Sequence, residues 1–236
     1  MELLNIYNNA GQSYGYILYE KSVGKVKSMK IGGYVRDRAH ILINSEIIAT
    51  VDWKKSDQNV IFPQNLLSAD MNLGILVENL GRVNFVRFGE REVVNSQFKG
   101  LHGDVYLDEQ LEENWNIYVL DFSKEFLDKV SDSIAWQEDI PAKRSPALYQ
   151  AIFTITETPS DTFFSMKGWT KGIVIVNKFN LGRYWNTGPQ KTLYVPAPIL
   201  RVGVNVVYIF EEEHGTKEFL SVNEPDLGDI DPKIKS

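Results

Sequence analysis

The sequence predicts an all-β chain folded as two tandem β-sandwiches or jelly rolls with one short helix. Strand-length apolar runs, turn residues between them and an internal duplication carry that prediction. The runs YGYILYE, AHILIN, LGILVEN, NWNIYVLDF, ALYQAIFTIT, KGIVIVN, KTLYVP and NVVYIFE are rich in Val, Ile, Tyr and Phe. Gly, Asn, Pro and Asp bound them, as strands of roughly 4 to 8 residues require. Many short strands with frequent turn signals favour sandwiches over a βα alternation.

The duplication appears when the chain is shifted by 133 positions without a gap. Asn44 then falls on Asn177, Pro63 on Pro196, Leu67 on Leu200, Asn72 on Asn205 and Glu78 on Glu211. Ile41-Leu42-Ile43 lies on Val174-Ile175-Val176, and Ile75-Leu76-Val77 on Tyr208-Ile209-Phe210. Two copies of one unit are therefore expected, at 1–112 and 113–222. The polar tail 223–236, with two prolines, has the composition of a disordered segment. Phe122, Phe126, Val130 and Ile134 recur every four residues and predict a helix, N-capped by Asp121 or Ser123. EDIPAKRSP (138–146) reads as a loop.

Composition excludes several function classes. The formal net charge of −6 is wrong for a nucleic-acid footprint, which needs a clustered basic face. No apolar run approaches the roughly 20 residues that span a bilayer. The absence of cysteine removes disulfides and thiolate metal sites. His40, His102 and His214 form no metal-ligand or catalytic spacing, Asp229-Ile230-Asp231 lacks the rest of a calcium loop, and no cofactor motif is present. The N-terminus lacks the pattern of a secretory signal, and there is no glycosylation sequon. A natural start at Met1 would imply a cytoplasmic chain, and a fragment would imply a secreted or lysosomal parent.

The phrases GQSYGYILYE, VRDRAH, LGILVENLGRVNF, FKG, DTFFSMKGWTKG and NKFNLGRYWNTGPQKTLYVPAPIL occur in that order. Together they resemble the C-terminal β-domains of the family 35 β-galactosidases and their β-galactosidase-1-like members. The resemblance covers about residues 10 to 212 and implies two consecutive jelly rolls of the galactose-binding-like type. In that family the catalytic glutamates sit on a (β/α)8 barrel, which takes on the order of 250 residues. No such alternation exists in this chain, so the resemblance implies a non-catalytic part, with no catalytic residues of its own. Where the family writes VNG, this chain has Ile43-Asn44-Ser45 and Val176-Asn177-Lys178. Where the family writes GRVNYG, it has Gly81-Arg82-Val83-Asn84-Phe85-Val86, a segment expected to face the barrel.

Residues 176–196, VNKFNLGRYWNTGPQKTLYVP, hold the candidate carbohydrate site: Asn180, Arg183, Tyr184, Trp185 and Gln190, with Trp169 able to reach the same surface. Aromatic faces stack on hexose rings while Arg, Asn and Gln bond hydroxyls. The competing reading makes Asn177 a turn residue, Leu181 and Tyr184 core, Trp169 a lid on the core and Arg183 a partner for loop carbonyls. At the constant shift Arg183, Tyr184 and Trp185 fall on Thr50, Val51 and Asp52, so this cluster is peculiar to the second copy. Arg36-Asp37-Arg38 and Glu78 to Arg82 read as ion pairs that orient loops. The charge clusters Glu90-Arg91-Glu92 and Lys54, Lys55 and Asp57 read either as replacements on a surface once covered by a barrel or as solvated loops.

Two functions follow as expectations. One is a non-catalytic module that binds a carbohydrate or glycoprotein through the second sandwich. The other is a structural or interaction part of a larger β-galactosidase, with a protein partner on the surface that faces the barrel in relatives.

Overall fold

The computed structural model describes residues 1–87, 89, 97–141 and 144–228. Glu90, Arg91, Glu92 and Asp229-Ile230-Asp231 lie outside the described residues. The chain divides into two units, Met1–Phe122 and Ser123–Ser236.

The first unit contains β1 (Tyr16–Val23), β2 (Ser28–Arg36), β3 (Arg38–Ile43), β4 (Glu46–Asp52), β5 (Gln58–Ile61), β6 (Met71–Glu78), β7 (Gly100–Leu107), β8 (Gln110–Glu112) and β9 (Asn116–Leu120). One sheet runs β4-β3-β6-β1-β9 and the other β5-β2-β7-β8. The second unit contains helix α1 (Lys124–Ser133), β10 (Ala147–Ile155), β11 (Thr162–Ser165), β12 (Lys171–Val176), β13 (Phe179–Trp185), β14 (Thr192–Val195), β15 (Gly203–Glu211) and β16 (Leu220–Val222). Its sheets run β10-β15-β12-β13 and β14-β11-β16. All pairings are antiparallel.

The two orders are one topology. β4-β3-β6-β1 corresponds to β13-β12-β15-β10, and β5-β2-β7 to β14-β11-β16. The hairpins correspond in detail. The β3–β4 ladder shifts register at Ile41/Leu42 and the β12–β13 ladder at Val174/Ile175, 133 positions later. Short 3-10 turns follow Pro63 and Pro196. The turn residues Asn44 and Ser45 have φ of 50° and 69°, and Asn177 and Lys178 have 49° and 68°. Two successive positive-φ residues make the hairpin turn whose twist matches the strands. Asn accepts that conformation, and its side chain repays it: Asn44 Oδ1 accepts from Asn72 N (2.9 Å) and Asn177 Oδ1 from Val206 N (3.1 Å).

Those two bonds also correct the gapless register. Asn72 corresponds to Val206, not to Asn205, because the connection 201–205 is one residue longer than 68–71. Register confirms the slip: Ala39 opposes Val77, while Gly172 opposes Glu211. Glu78 therefore corresponds to Glu212. The extra residue is absorbed by Asn205, whose side chain bonds Arg201 N (3.0 Å), Arg201 O (2.8 Å) and Asn177 Nδ2 (2.8 Å).

Each sandwich encloses its own core. Ile17, Ile31, Ile41 and Ile75 are among the first, and Phe164, Trp169, Val174 and Ile209 among the second. The central strands β3 and β12 are buried on both faces, which is why AHILI and KGIVIV read as continuous apolar runs instead of alternating.

Three boundaries differ from expectation. NWNIYVLDF does form a strand, β9, but it pairs with β1 and so lies in the first unit. Phe122 lies outside the helix and packs edge-on against Tyr16 (6.1 Å). Ser123 caps α1, accepting from Phe126 N (3.2 Å), and Leu127 is the helix's buried residue. Residues 223–228, expected in the disordered tail, dock on β14 through Lys191 N to Asp226 O (2.9 Å) and Asp226 N to Thr192 Oγ1 (3.0 Å).

Ser45 is exposed and holds the strained second turn position with no ion pair to defend. A Ser45→Gly substitution is expected to raise stability by about 1 kcal/mol, the left-handed penalty less the entropy of glycine. Urea denaturation measures it.

Candidate functional site

Two of the candidate residues, Tyr184 and Trp185, stand by the end of β15, where two consecutive glutamates point to opposite faces of the sheet. Glu211 faces the core. Its carboxylate accepts from the backbone amides of Thr170 (2.8 Å), Lys171 (3.2 Å), Glu213 (2.8 Å) and His214 (3.2 Å). The Tyr184 hydroxyl donates to it as well (2.8 Å). Tyr184 stands on β13 and Glu211 on β15, with Gly172 of β12 between them in register. The bond exists because Gly172 has no side chain: a Cβ there would lie 2.9 Å from the Tyr184 hydroxyl and 1.8 Å from Phe210 O. Burial lifts the Glu211 carboxyl above its ordinary pKa, opposed by the amides that solvate its charge. Burial, then the neighbouring carboxylate, pushes the Tyr184 phenol far above its usual value.

Glu212 faces the other way and is fully buried. It pairs with the Lys171 ammonium at 2.6 Å. That ammonium also sits 4.9 Å from the Trp185 ring centroid, a cation–π contact.

Comparison with the first unit explains both faces. Gly172, Tyr184 and Glu211 stand where the first unit has Ala39, Val51 and Val77, all buried. An apolar Ala-Val-Val row has become a hydrogen-bonded Gly-Tyr-Glu row. On the opposite face Lys171 and Glu212 stand where the first unit places Arg38 opposite Glu78. There Asp52 is the third member, and in the second unit it is Trp185. A carboxylate beside a cation has been exchanged for an aromatic face.

The six sequence candidates thus separate. Trp169 is buried, donates Nε1 to Glu218 O (3.0 Å) and packs edge-on to Tyr149 (5.0 Å), and Tyr184 is buried on Glu211. Asn180 and Arg183 are half-buried on β13, Arg183 opposite Ile173. Trp185 is 42% exposed. Gln190 is exposed and donates to Thr192 O (2.7 Å). Arg183 and Trp185, two residues apart on an edge strand, share one face, and the structure places Trp185 beside Lys171, which pairs with Glu212. Sequence reading missed those last two, although Arg38 and Lys171 stand 133 positions apart and signal them.

In the first unit Lys99 Nζ bonds both oxygens of Asp37 at 2.7 Å, Arg38 Nη1 lies 3.0 Å from His40 Nε2 and Arg82 bonds Asn79 and Glu2. Asp37 and Arg82 thus stand in ion pairs, with Lys99 and Glu2 respectively, while Arg38 meets His40 along β3. Lys54 pairs with Asp52 (3.7 Å) and Asp57 with Lys30 (3.9 Å) as solvated charges. Phe85 is 77% exposed. Among the described residues no cluster of three His, Asp or Glu side chains could hold a metal ion, and no helix is long and apolar enough to cross a membrane.

Removing the Glu211 carboxylate strands four backbone amides, that of Lys171 buried and those of Thr170, Glu213 and His214 partly so. Glu211→Ala should cost about 4 kcal/mol or more, and Tyr184→Phe about 1 kcal/mol. Lys171→Met should cost about 3–5 kcal/mol by leaving Glu212 without its ammonium, and Lys171→Met with Glu212→Met should recover most of it. Chemical denaturation of the single and double variants measures all four.

Models of known families match both units: the β-galactosidase first all-beta domain over residues 6–121 and the β-galactosidase galactose-binding domain over residues 146–205. Human β-galactosidase-1-like protein 2 is 40% identical over 97% of this chain, and human β-galactosidase-1-like protein 3 is 35% identical over 96%. β-Galactosidase 1 of Dictyostelium discoideum is 33% identical over 85%. The chain spans about a third of the length of these relatives, 34%, 33% and 31% respectively. It carries the first all-β domain and the galactose-binding domain of the β-galactosidase family.

Proposed function

We propose that the chain is a non-catalytic carbohydrate-binding part of a β-galactosidase-like protein, with a galactoside bound at β13 of the second sandwich. One observation carries this reading: Trp185 keeps 42% of its surface open on an edge strand, with Arg183 two residues away on the same face. An indole face suits the apolar side of a hexose, and a guanidinium suits its hydroxyls. The support beneath is rigid, since Lys171, Glu212, Tyr184 and Glu211 are all buried and bonded. The same burial argues against glycosidic chemistry by the adjacent carboxylates. A retaining pair needs two carboxyl groups about 5–5.5 Å apart flanking a substrate, and Glu211 and Glu212 are both 0% exposed.

The Asp52-to-Trp185 exchange supports a second reading, in which Trp185 serves only Lys171 and the second unit is a structural brace. One variant separates the two. Trp185→Asp restores the anion that the first unit uses beside Arg38, so stability should change by less than about 1 kcal/mol. On the carbohydrate reading galactose binding, followed by indole fluorescence and NMR shifts, should have a millimolar Kd, weakened at least tenfold by Trp185→Asp and by Arg183→Ala. No binding at tens of millimolar galactose would leave only the brace. Turnover of an aryl β-galactoside by the pure chain would overturn the non-catalytic assignment.

A further inference from the structure

The duplication places a missing strand at the other edge of the same sheet. In the first unit the outer edge of β1 is covered by β9, with Tyr16 opposite Leu120, Leu18 opposite Tyr118 and Glu20 opposite Asn116. The corresponding strand β10 ends its sheet, and among the described residues no backbone hydrogen bond reaches its outer edge. The equivalence is residue by residue: Ile17 opposes Val77 as Ala147 opposes Glu211, so Leu18-Tyr19-Glu20-Lys21 aligns with Leu148-Tyr149-Gln150-Ala151.

The direction of the free amides follows from the ladder. Asn177 N donates to Val206 O (2.9 Å) and Glu212 N to Lys171 O (2.8 Å), so even-numbered residues of β15 bond β12. Odd-numbered ones bond β10, opposite Ala147, Tyr149, Ala151 and Phe153. The amides of Leu148, Gln150, Ile152 and Thr154 therefore point out of the sheet, where those of Leu18 and Glu20 meet β9.

Natural proteins blunt such edges with charge, proline or short length. β10 has none of these: ALYQAIFTI is nine residues long and contains no charged residue and no proline. The copy that is covered keeps Glu20 and Lys21, and the copy that is not has Gln150 and Ala151. A groove of about 650 Å3 runs beside the edge, lined by the apolar Ile134, Trp136, Ile140 and Phe219 and by the charged Glu138, Asp139 and Lys217 among others. An added strand would have alternate side chains over the apolar part of that lining.

We propose that β10 is a β-augmentation site, which takes an extended polypeptide segment of another chain as an antiparallel strand, with apolar side chains alternating as in β9. The occupant is a single strand because the internal precedent is one, and because the segment 134–141 flanks the edge. This site is independent of β13 and of any sugar bound there.

The test uses the full chain and a synthetic peptide of residues 114–121, NWNIYVLD, read by amide hydrogen exchange in NMR spectra. At millimolar peptide the Leu148, Gln150 and Ile152 amides should slow at least tenfold, a scrambled peptide should have no effect, and Leu18 and Glu20 should not change. Ile152→Lys, at a side chain 62% exposed, should abolish the slowing without altering the exchange of core amides. Gln150→Pro, which removes one outward donor from an edge strand, should do the same. The proposal is overturned if those amides are already protected in the dilute free chain, or if saturating peptide leaves them unchanged. Slowing without peptide that grows with protein concentration would overturn it in favour of pairing between two copies of β10.

Discussion

The second sandwich is organised around one buried carboxylate. Glu211 sits at 0% exposure, where an ionised group is tolerated only if donors replace its water. It finds five, from the two residues entering β12, the two residues leaving β15 and Tyr184 of β13. That arrangement fixes where three strands begin and end. It also forces glycine at position 172, since the phenol must cross β12 to arrive. Strand alternation does the rest: with Glu211 turned inward, Glu212 must turn outward, opposite the Lys171 side chain.

Two copies of one fold in one chain act as a controlled comparison. What both retain belongs to the sandwich: the Asn44 and Asn177 turns, the paired bulges, the cation at 38 and 171 and its glutamate. What one copy alone has needs a local reason. Tyr184 has one, because Gly172 leaves it room and Glu211 accepts its hydroxyl. Trp185 has one too, because it took the place of Asp52 beside the cation. Arg183 replaces Thr50, which in the first unit holds His40 Nδ1 at 2.9 Å. Its opposite residue in the second unit is Ile173, which offers no such polar partner.

Much of this was legible in the sequence because it depends on local chemistry. Strand type, the helix cap at Ser123 and the Asn turns follow from residues close to one another in the chain. The buried Tyr184 and Trp169 were visible as alternatives to sugar contacts, but sequence alone could not rank them, since burial depends on strands far apart in the chain. The one-residue slip was hidden by coincidence. Asn205 and Glu211 happen to match Asn72 and Glu78, and Glu212 beside Glu211 gives an equally good match one step on. Only hydrogen-bond register distinguishes them. β9 was misassigned for a similar reason: NWNIYVL is a plain strand, and its partner β1 lies about a hundred residues away.

The fold also constrains where any function can reside. Central strands β3 and β12 are buried on both faces, so substitutions there are paid in core stability. Variation that leaves the core intact is confined to turns, connections and sheet edges. Several differences between the copies fall there: an extra residue before β15, an extra strand beyond β1, and Arg-Tyr-Trp on edge strand β13; the Gly172 and Glu211 exchanges instead remake the buried interior of β12 and β15. The two edges of the second unit's larger sheet have diverged in opposite senses. β13 carries the cation Arg183, which resists strand pairing, and the exposed indole of Trp185, which offers an aromatic face. β10 has lost the charges of its counterpart β1, which favours pairing with a backbone. An edge that presents side chains and an edge that presents amides would recognise different chemistry, and one sheet has room for both because they lie at opposite ends of the strand order.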